Sequence, residues 1–191
     1  MLVCVSAYTC PMDHRDAVDL LRNAPMSIGR PQHWADLGCG TGTFTRALAE
    51  LLPTGSTIAA MDHNATAVKQ VPDLHGNVQI TKHVGDFVTE PLAMKDLDGI
   101  LLANALHFVR DQAAFIQRIS TSLKPTGALL LVEYDTGSPN PWVPHPLSFV
   151  ALSQLCADRG FGTVQRLGER TSAFGGARLY SVWVGRGVGR S

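Results

Sequence analysis

The sequence predicts an α/β fold built on a mainly parallel sheet, and three observations support that expectation. Between residues 33 and 133, short apolar strand-like runs alternate with segments of helical apolar spacing. Two of the runs, 100–103 and 128–133, are almost continuously apolar, as strands covered on both faces are. A glycine-rich turn, Gly38-Cys39-Gly40-Thr41-Gly42, follows the first run and leads into a helical pattern.

Each element has a local reason. Asp13 suits the N-cap of a helix that sets Ala17, Leu20, Leu21 and Ala24 on one face and stops near Pro25, so residues 1–30 form an N-terminal helical segment. His33-Trp34-Ala35-Asp36-Leu37 is the first strand. Phe44, Ala47, Leu48, Leu51 and Leu52 then share a helix face that Pro53-Thr54-Gly55 closes. A strand at 57–61, a short helix at 65–71 and a strand at 78–81 follow. Residues 88–96 are too short and too proline-interrupted for a helix. After the strand at 100–103, Asp111 caps a helix through Phe115, Ile116, Ile119 and Leu123 that ends at Lys124-Pro125-Thr126-Gly127, and the fifth strand is 128–133.

Residues 135–146, rich in Pro, Gly and Ser, read as a loop. Pro146 suits the first turn of a helix carrying Phe149, Leu152, Leu155 and Cys156, which Gly160 ends. Two strands near 164–167 and 179–184 and a flexible Gly- and Arg-rich tail at 185–191 complete one expected domain over 1–191.

Sixteen basic residues balance sixteen acidic ones with no run of like charge, which speaks against a nucleic-acid partner. No apolar stretch has the length of a membrane span and the amino end lacks a signal-peptide pattern, so a cytoplasmic protein is expected. The four cysteines, Cys4, Cys10, Cys39 and Cys156, are scattered, as free thiols are and metal ligands are not, and no metal site is expected.

The glycine turn narrows the ligand. A dinucleotide fingerprint starting at Gly38 would require glycine at 43, where this chain has Thr43; its spacing is G-x-G-x-G. Asp36, two residues before the first glycine, would repel a pyrophosphate and suits an ammonium or sulfonium instead. Asp62, at the end of the second strand, is placed to accept from a ribose diol, and Gly85-Asp86-Phe87 offers an acceptor for an exocyclic amine beside an aromatic ring.

With these motifs in this order, the chain resembles the class I S-adenosylmethionine (SAM)-dependent methyltransferases, and among them the group around the ubiquinone and menaquinone C-methyltransferases. The resemblance spans residues 34–133. It implies a doubly wound, seven-stranded Rossmann-like sheet of order 3-2-1-4-5-7-6 with an antiparallel last strand, and SAM as cofactor. It also implies roles. Gly38, Cys39 and Gly40 border the methionine part, Asp36 holds its ammonium, and Asp62 takes the ribose hydroxyls. His63 packs beside adenine, Asp86 receives its amine, Phe87 lines the ring, and backbone near Asn104 and Ala105 contacts the methionine portion.

The implied activity is methyl transfer to a small-molecule acceptor by in-line displacement; the alternative is a non-catalytic SAM-binding partner or regulatory module. Asn104-Ala105-Leu106-His107 stands where nucleic-acid-modifying relatives carry an Asp/Asn-Pro-Pro-Tyr/Phe sequence, which lowers that substrate class. His107 is the candidate for proton transfer, with pocket lining or a backbone hydrogen bond as the competing role. His145, Tyr134 and Asp135 are further candidates to face the acceptor, each with a plain surface or capping role as the alternative, and Trp142 is a candidate shield for an apolar substrate. Little chain remains to cover the acceptor, which leaves three alternatives: an open pocket, a bulky substrate, or closure by a second subunit in a homodimer.

Overall fold

In the computed structural model, residues 12–171 and 178–186 are described. Helix α1 (His14–Leu21) starts where the Asp13 carboxylate accepts from the Arg15 amide at 2.8 Å, and it buries Ala17, Val18, Leu20 and Leu21. The chain then alternates β1 (His33–Leu37), α2 (Thr43–Leu51), β2 (Thr57–Asp62), α3 (Ala65–Val68), β3 (Leu74–His75), β4 (Val78–Val84) and β5 (Leu97–Ala103). A 3-10 turn (Leu106–Phe108) precedes α4 (Gln112–Ser120), β6 (Leu123–Tyr134), α5 (Phe149–Asp158), β7 (Phe161–Thr171) and β8 (Arg178–Arg186).

The sheet order is β3-β4-β2-β1-β5-β6-β8-β7. Strands β4, β2, β1, β5 and β6 pair in parallel, and β8 runs antiparallel to both β6 and β7. Leaving β3 aside, this is the expected seven-stranded order. Because β1 sits between β2 and β5, chain order reverses there, and a crevice opens outside the carboxyl ends of those strands.

Alternating side chains divide between two cores. Leu101, Leu130 and Val132 pack with α1 and α2, whereas Ile100, Leu102, Leu129 and Leu131 pack with α4 and α5. Double-sided burial explains why β5 and β6 lack polar alternation.

The structure corrects several sequence expectations. Strand β3 has no counterpart in the sequence pattern: two residues pair antiparallel with β4 around Gly76 and Asn77, too short a run for an apolar signal. Strand β4 continues to Val84 through exposed residues because its backbone pairs with β2 as far as Asp62. Leu123 is not in α4; it opens β6 opposite Leu97, and the register irregularity there absorbs Pro125 and Gly127. Helix α5 starts not at Pro146 but after Ser148, whose hydroxyl accepts from the Ala151 amide. Gly185 and Arg186 belong to β8, and 187–191, the rest of the expected flexible tail, lie outside the described residues, as do 1–11 with Cys4 and Cys10. Among the described residues no helix is long and apolar enough to cross a membrane.

Candidate cofactor-binding and active site

The glycine turn lies over the crevice. The amides of Gly38 and Cys39 both donate to the Met61 carbonyl, and the Gly40 amide donates to Asp62 Oδ2 at 2.9 Å, so the end of β2 shapes the loop after β1. Gly38 and Gly40 both have left-handed backbone, with φ +80° and +52°, where a side chain is strained. Their surroundings differ. A Cβ on Gly38 would stand 2.7 Å from the Cβ of Ala105, so this glycine lets the loop seat against the segment after β5. Among the described residues a Cβ on Gly40 would meet nothing within 4 Å, and Gly40 lines a cavity of about 220 Å³ together with Met12, Asp36, Cys39, Thr43, Phe44 and Ala103.

Asp36 is fully buried at the edge of this cavity. Its Oδ2 accepts from the Thr45 hydroxyl at 2.6 Å, and its Oδ1 is a buried acceptor with no partner among the described residues. Burial raises its pKa to about 7, the Thr45 hydrogen bond offsets part of that rise, and the nearby Asp62 charge adds to it. A buried carboxylate without a cation is costly, and an ammonium group from a ligand satisfies both the charge and the orphaned oxygen.

A second orphan sits at the end of β5. Asn104 holds a left-handed φ of +54°, its amide donates to the Val132 carbonyl, and its side-chain Oδ1 is buried without a partner among the described residues. Asparagine is among the few residues that adopt this backbone readily.

Asp62 accepts at both oxygens, from Gly40 at Oδ2 and from the Asn64 amide at Oδ1, and keeps further lone pairs free. His63 beside it is exposed, its Nδ1 3.5 Å from Asp62 Oδ1. Asp86 caps its own turn, accepting from the Val88 amide and the Thr89 hydroxyl, and the Val88 bond leads the effects that lower its pKa. Phe87, expected to line the adenine ring, is buried. Its ring turns inward, edge-on to Phe115 with centroids 5.8 Å apart, and lies beneath Gly38. Cys39 is buried, and burial followed by the charges of Asp36 and Asp62 pushes its thiol pKa up, so it stays protonated.

His107, the candidate for proton transfer, is buried in the 3-10 turn after β5 and is not among the residues that line the cavity. Its Nδ1 lies 2.6 Å from Oε2 of Glu133, whose Oε1 accepts from the amides of Leu106 and His107. Glu133 is fully buried at the end of β6, and sequence reasoning assigned it no role. The available signal was an acidic residue closing the most apolar run in the chain. Thr45 was also missed, since nothing local links a helix threonine to a strand aspartate.

The loop after β6 is docked onto this turn by backbone: the His145 amide donates to the His107 carbonyl, and Gln112 Nε2 donates to the His145 carbonyl. Trp142, the candidate shield, is 75% exposed. Asp135 caps α5 at the Phe149 amide and pairs with Arg166, while the Tyr134 ring lies 6.2 Å from that of His107.

Residues 35–131 match the methyltransferase domain family. The chain belongs to that family. It is a class I SAM-dependent methyltransferase, and it resembles an uncharacterised methyltransferase of Mycobacterium tuberculosis, 28% identical over 142 residues, 74% of this chain and 70% of the relative. It is also similar to the trans-aconitate 2-methyltransferase of an Acidovorax strain, 33% identical over 116 residues, 60% of this chain and 42% of that enzyme.

Among solved structures, the YcgJ protein of Bacillus subtilis aligns with a TM-score of 0.70 at 14% identity, covering 92% of this chain and all of that one. The N-terminal domain of EvdMO1, solved with S-adenosylhomocysteine (SAH) bound, aligns with a TM-score of 0.65 at 20% identity, over 92% of this chain and 82% of that one. Nothing in these likenesses singles out the quinone-methylating group. The cofactor is SAM, and the orphaned Oδ1 of Asp36 and the open face of Gly40 fit its ammonium and methionine portion.

Proposed function

We propose that this methyltransferase acts on a small-molecule acceptor, not on nucleic acid, at the carboxyl ends of β1 and β5, within one domain over 1–191. The unpartnered, fully buried Oδ1 of Asp36 carries the reading. When bound, SAM supplies a methyl carbon on a cationic sulfur, and transfer is an in-line displacement with a neutral leaving group. In this reading Asp36 receives the ammonium, and the backbone of Gly38, Cys39 and Gly40 borders the methionine portion, with Asn104 and Ala105 closing it from β5. Asp62 accepts from the ribose hydroxyls, His63 lies against adenine, and Asp86 accepts the adenine amine. Phe87 supports the loop from below.

Alignment in a dry pocket is enough for an acceptor that keeps its protons. For an acceptor that must lose one, His107 takes it. With Glu133 ionised and accepting at Oε2, the ring proton sits on Nδ1 and the lone pair on Nε2. Glu133 then acts as a positioning residue that sets the tautomer and steadies the imidazolium.

The test is calorimetric titration with SAM, SAH and NADH, repeated on Asp62→Ala. The first two ligands bind, the variant weakens both by roughly tenfold or more, and NADH does not bind. A folded protein that binds neither SAM nor SAH overturns the assignment of these residues. Labelled methyl transfer to a panel of small carboxylic acids, phenols and amines then identifies the acceptor. With a protic acceptor, His107→Asn lowers kcat on the order of 100-fold.

A further inference from the structure

Away from the cleft, three side chains distant in sequence converge. His14 opens α1, Glu50 lies in the last turn of α2, and His75 belongs to β3, the short strand added to the edge of the sheet. His14 Nε2 stands 2.8 Å from Glu50 Oε2, and the His14 and His75 rings lie 5.8 Å apart, tilted by 59°. One ligating atom from each of the three residues falls within 4.8 Å of the other two. We propose that His14, Glu50 and His75 bind a divalent transition-metal ion, zinc foremost, which ties α1, α2 and the β3 hairpin together.

The donor set is the first reason. Two imidazoles and one carboxylate suit zinc, which takes such ligands at about 2.0–2.2 Å in a tetrahedron completed by a solvent molecule. Ligands on such an ion are about 3.3 Å apart, against an upper spacing of 4.8 Å here, so the atoms must draw together by no more than about 1.5 Å. The second reason is what a simple ion pair leaves over. His14 and Glu50 alone use one ring nitrogen, yet His14 Nδ1 is buried without a hydrogen-bond partner among the described residues, and His75 has no part in the pair. A metal ion engages all three side chains.

Electrostatics sets the selectivity. The carbonyl end of α2 favours a cation near Glu50, whereas the amino end of α1 and the neighbouring Arg15 oppose one; Arg22 is already paired with Asp19. Binding must therefore rest on direct nitrogen and oxygen bonds and not on net negative charge. That excludes magnesium and calcium, which need several oxygen ligands, and retains zinc. Thr43 at the glycine turn and Glu50 are about 10 Å apart along the axis of α2, so the ion has a structural role separate from methyl transfer.

The test uses the full chain without an affinity tag, stripped with chelator and titrated with zinc sulfate by calorimetry. The wild type, His75→Ala and Glu50→Gln are compared, and cobalt(II) absorption reports the geometry. All three proteins keep the four cysteines, so thiol binding is a common background. Glu50→Gln alters an exposed position and keeps a hydrogen-bonding group beside His14, which guards against a folding defect. Expected are one equivalent of zinc and a four-coordinate cobalt spectrum in the wild type. Each variant then weakens zinc binding by roughly tenfold or more while retaining its circular dichroism and its affinity for SAM. Equal zinc affinity in all three proteins, or no binding by the folded wild type, overturns the proposal.

Discussion

Two buried aspartates at opposite ends of the same central strand pair have opposite environments. Asp98, near the amino end of β5, accepts from Arg30 Nη2 at 2.6 Å, the His33 amide at 2.9 Å and Lys124 Nζ at 2.8 Å. Burial alone would raise its pKa, but the Arg30, Lys124 and His33 hydrogen bonds outweigh it and bring the pKa down to about 2. Asp36, at the carboxyl end of β1, has one hydroxyl donor and an orphaned oxygen, and burial takes its pKa up to about 7. Among the described residues, the carboxylate at the bottom of the sheet has its donors from the protein, and the one at the top has an oxygen without one. A carboxylate with a full set of donors stabilises the fold, whereas one short of a cation is an unfavourable contact that binding relieves.

The largest expected effect is on Asp36. Asp36→Asn lowers SAM affinity at least about 100-fold in calorimetry, by removing the partner of its ammonium. The same change stabilises the ligand-free protein at pH 8 by about 1–3 kcal/mol in denaturant titration. The sign follows from the raised pKa. Between about pH 4 and 7 the native state holds a proton that the unfolded state has lost, so the wild type loses stability as pH rises through that window, and the asparagine variant does not. Normal SAM binding by the Asp36→Asn variant would remove the contrast altogether.

Asp98→Ala acts in the other direction. It leaves the His33 amide and two basic side chains without their acceptor and destabilises the fold by about 2 kcal/mol, with SAM affinity unchanged. A loss of affinity comparable to that of Asp36→Asn would blur the division between the two ends. The depressed pKa of Asp98 gives an acid limb. Its contribution is complete above about pH 4 and disappears as pH falls toward 2. Arg30 is half exposed, so solvent screening discounts the amount to about 1–2 kcal/mol in acid unfolding of wild type against Asp98→Asn.

The smallest effect is at Gly40. Gly40→Ala strains the left-handed backbone by about 1 kcal/mol and sends a methyl group into the cavity, so melting shifts slightly while SAM affinity falls about tenfold. An affinity equal to wild type would move the ligand away from this face of the loop.

Much of the upper end is legible in the sequence. Asp36, the glycines, Asp62 and Asn104 lie on strand ends and turns that apolar periodicity and glycine spacing locate, whereas the order of the five parallel strands follows from the resemblance to the methyltransferases and not from that pattern. What decides the chemistry of each carboxylate is not legible there. The donors to Asp98 come from the segment before β1, from the first residue of β1 and from β6, Thr45 reaches Asp36 from the next helix, and Glu133 meets His107 across 26 positions. Trp142 shows the same limit: its loop is evident from composition, but its exposure is not.

The sequence by itself determined the alternation of strands and helices, the glycine turn and the family, because these depend on backbone conformation and local apolar spacing. Only the tertiary structure decided which buried polar atoms are matched and which, among the described residues, are left without a partner. It turned Phe87 inward under Gly38, locked His107 onto Glu133 and brought His14, Glu50 and His75 together, because hydrogen-bond satisfaction and desolvation depend on neighbours that chain separation does not reveal.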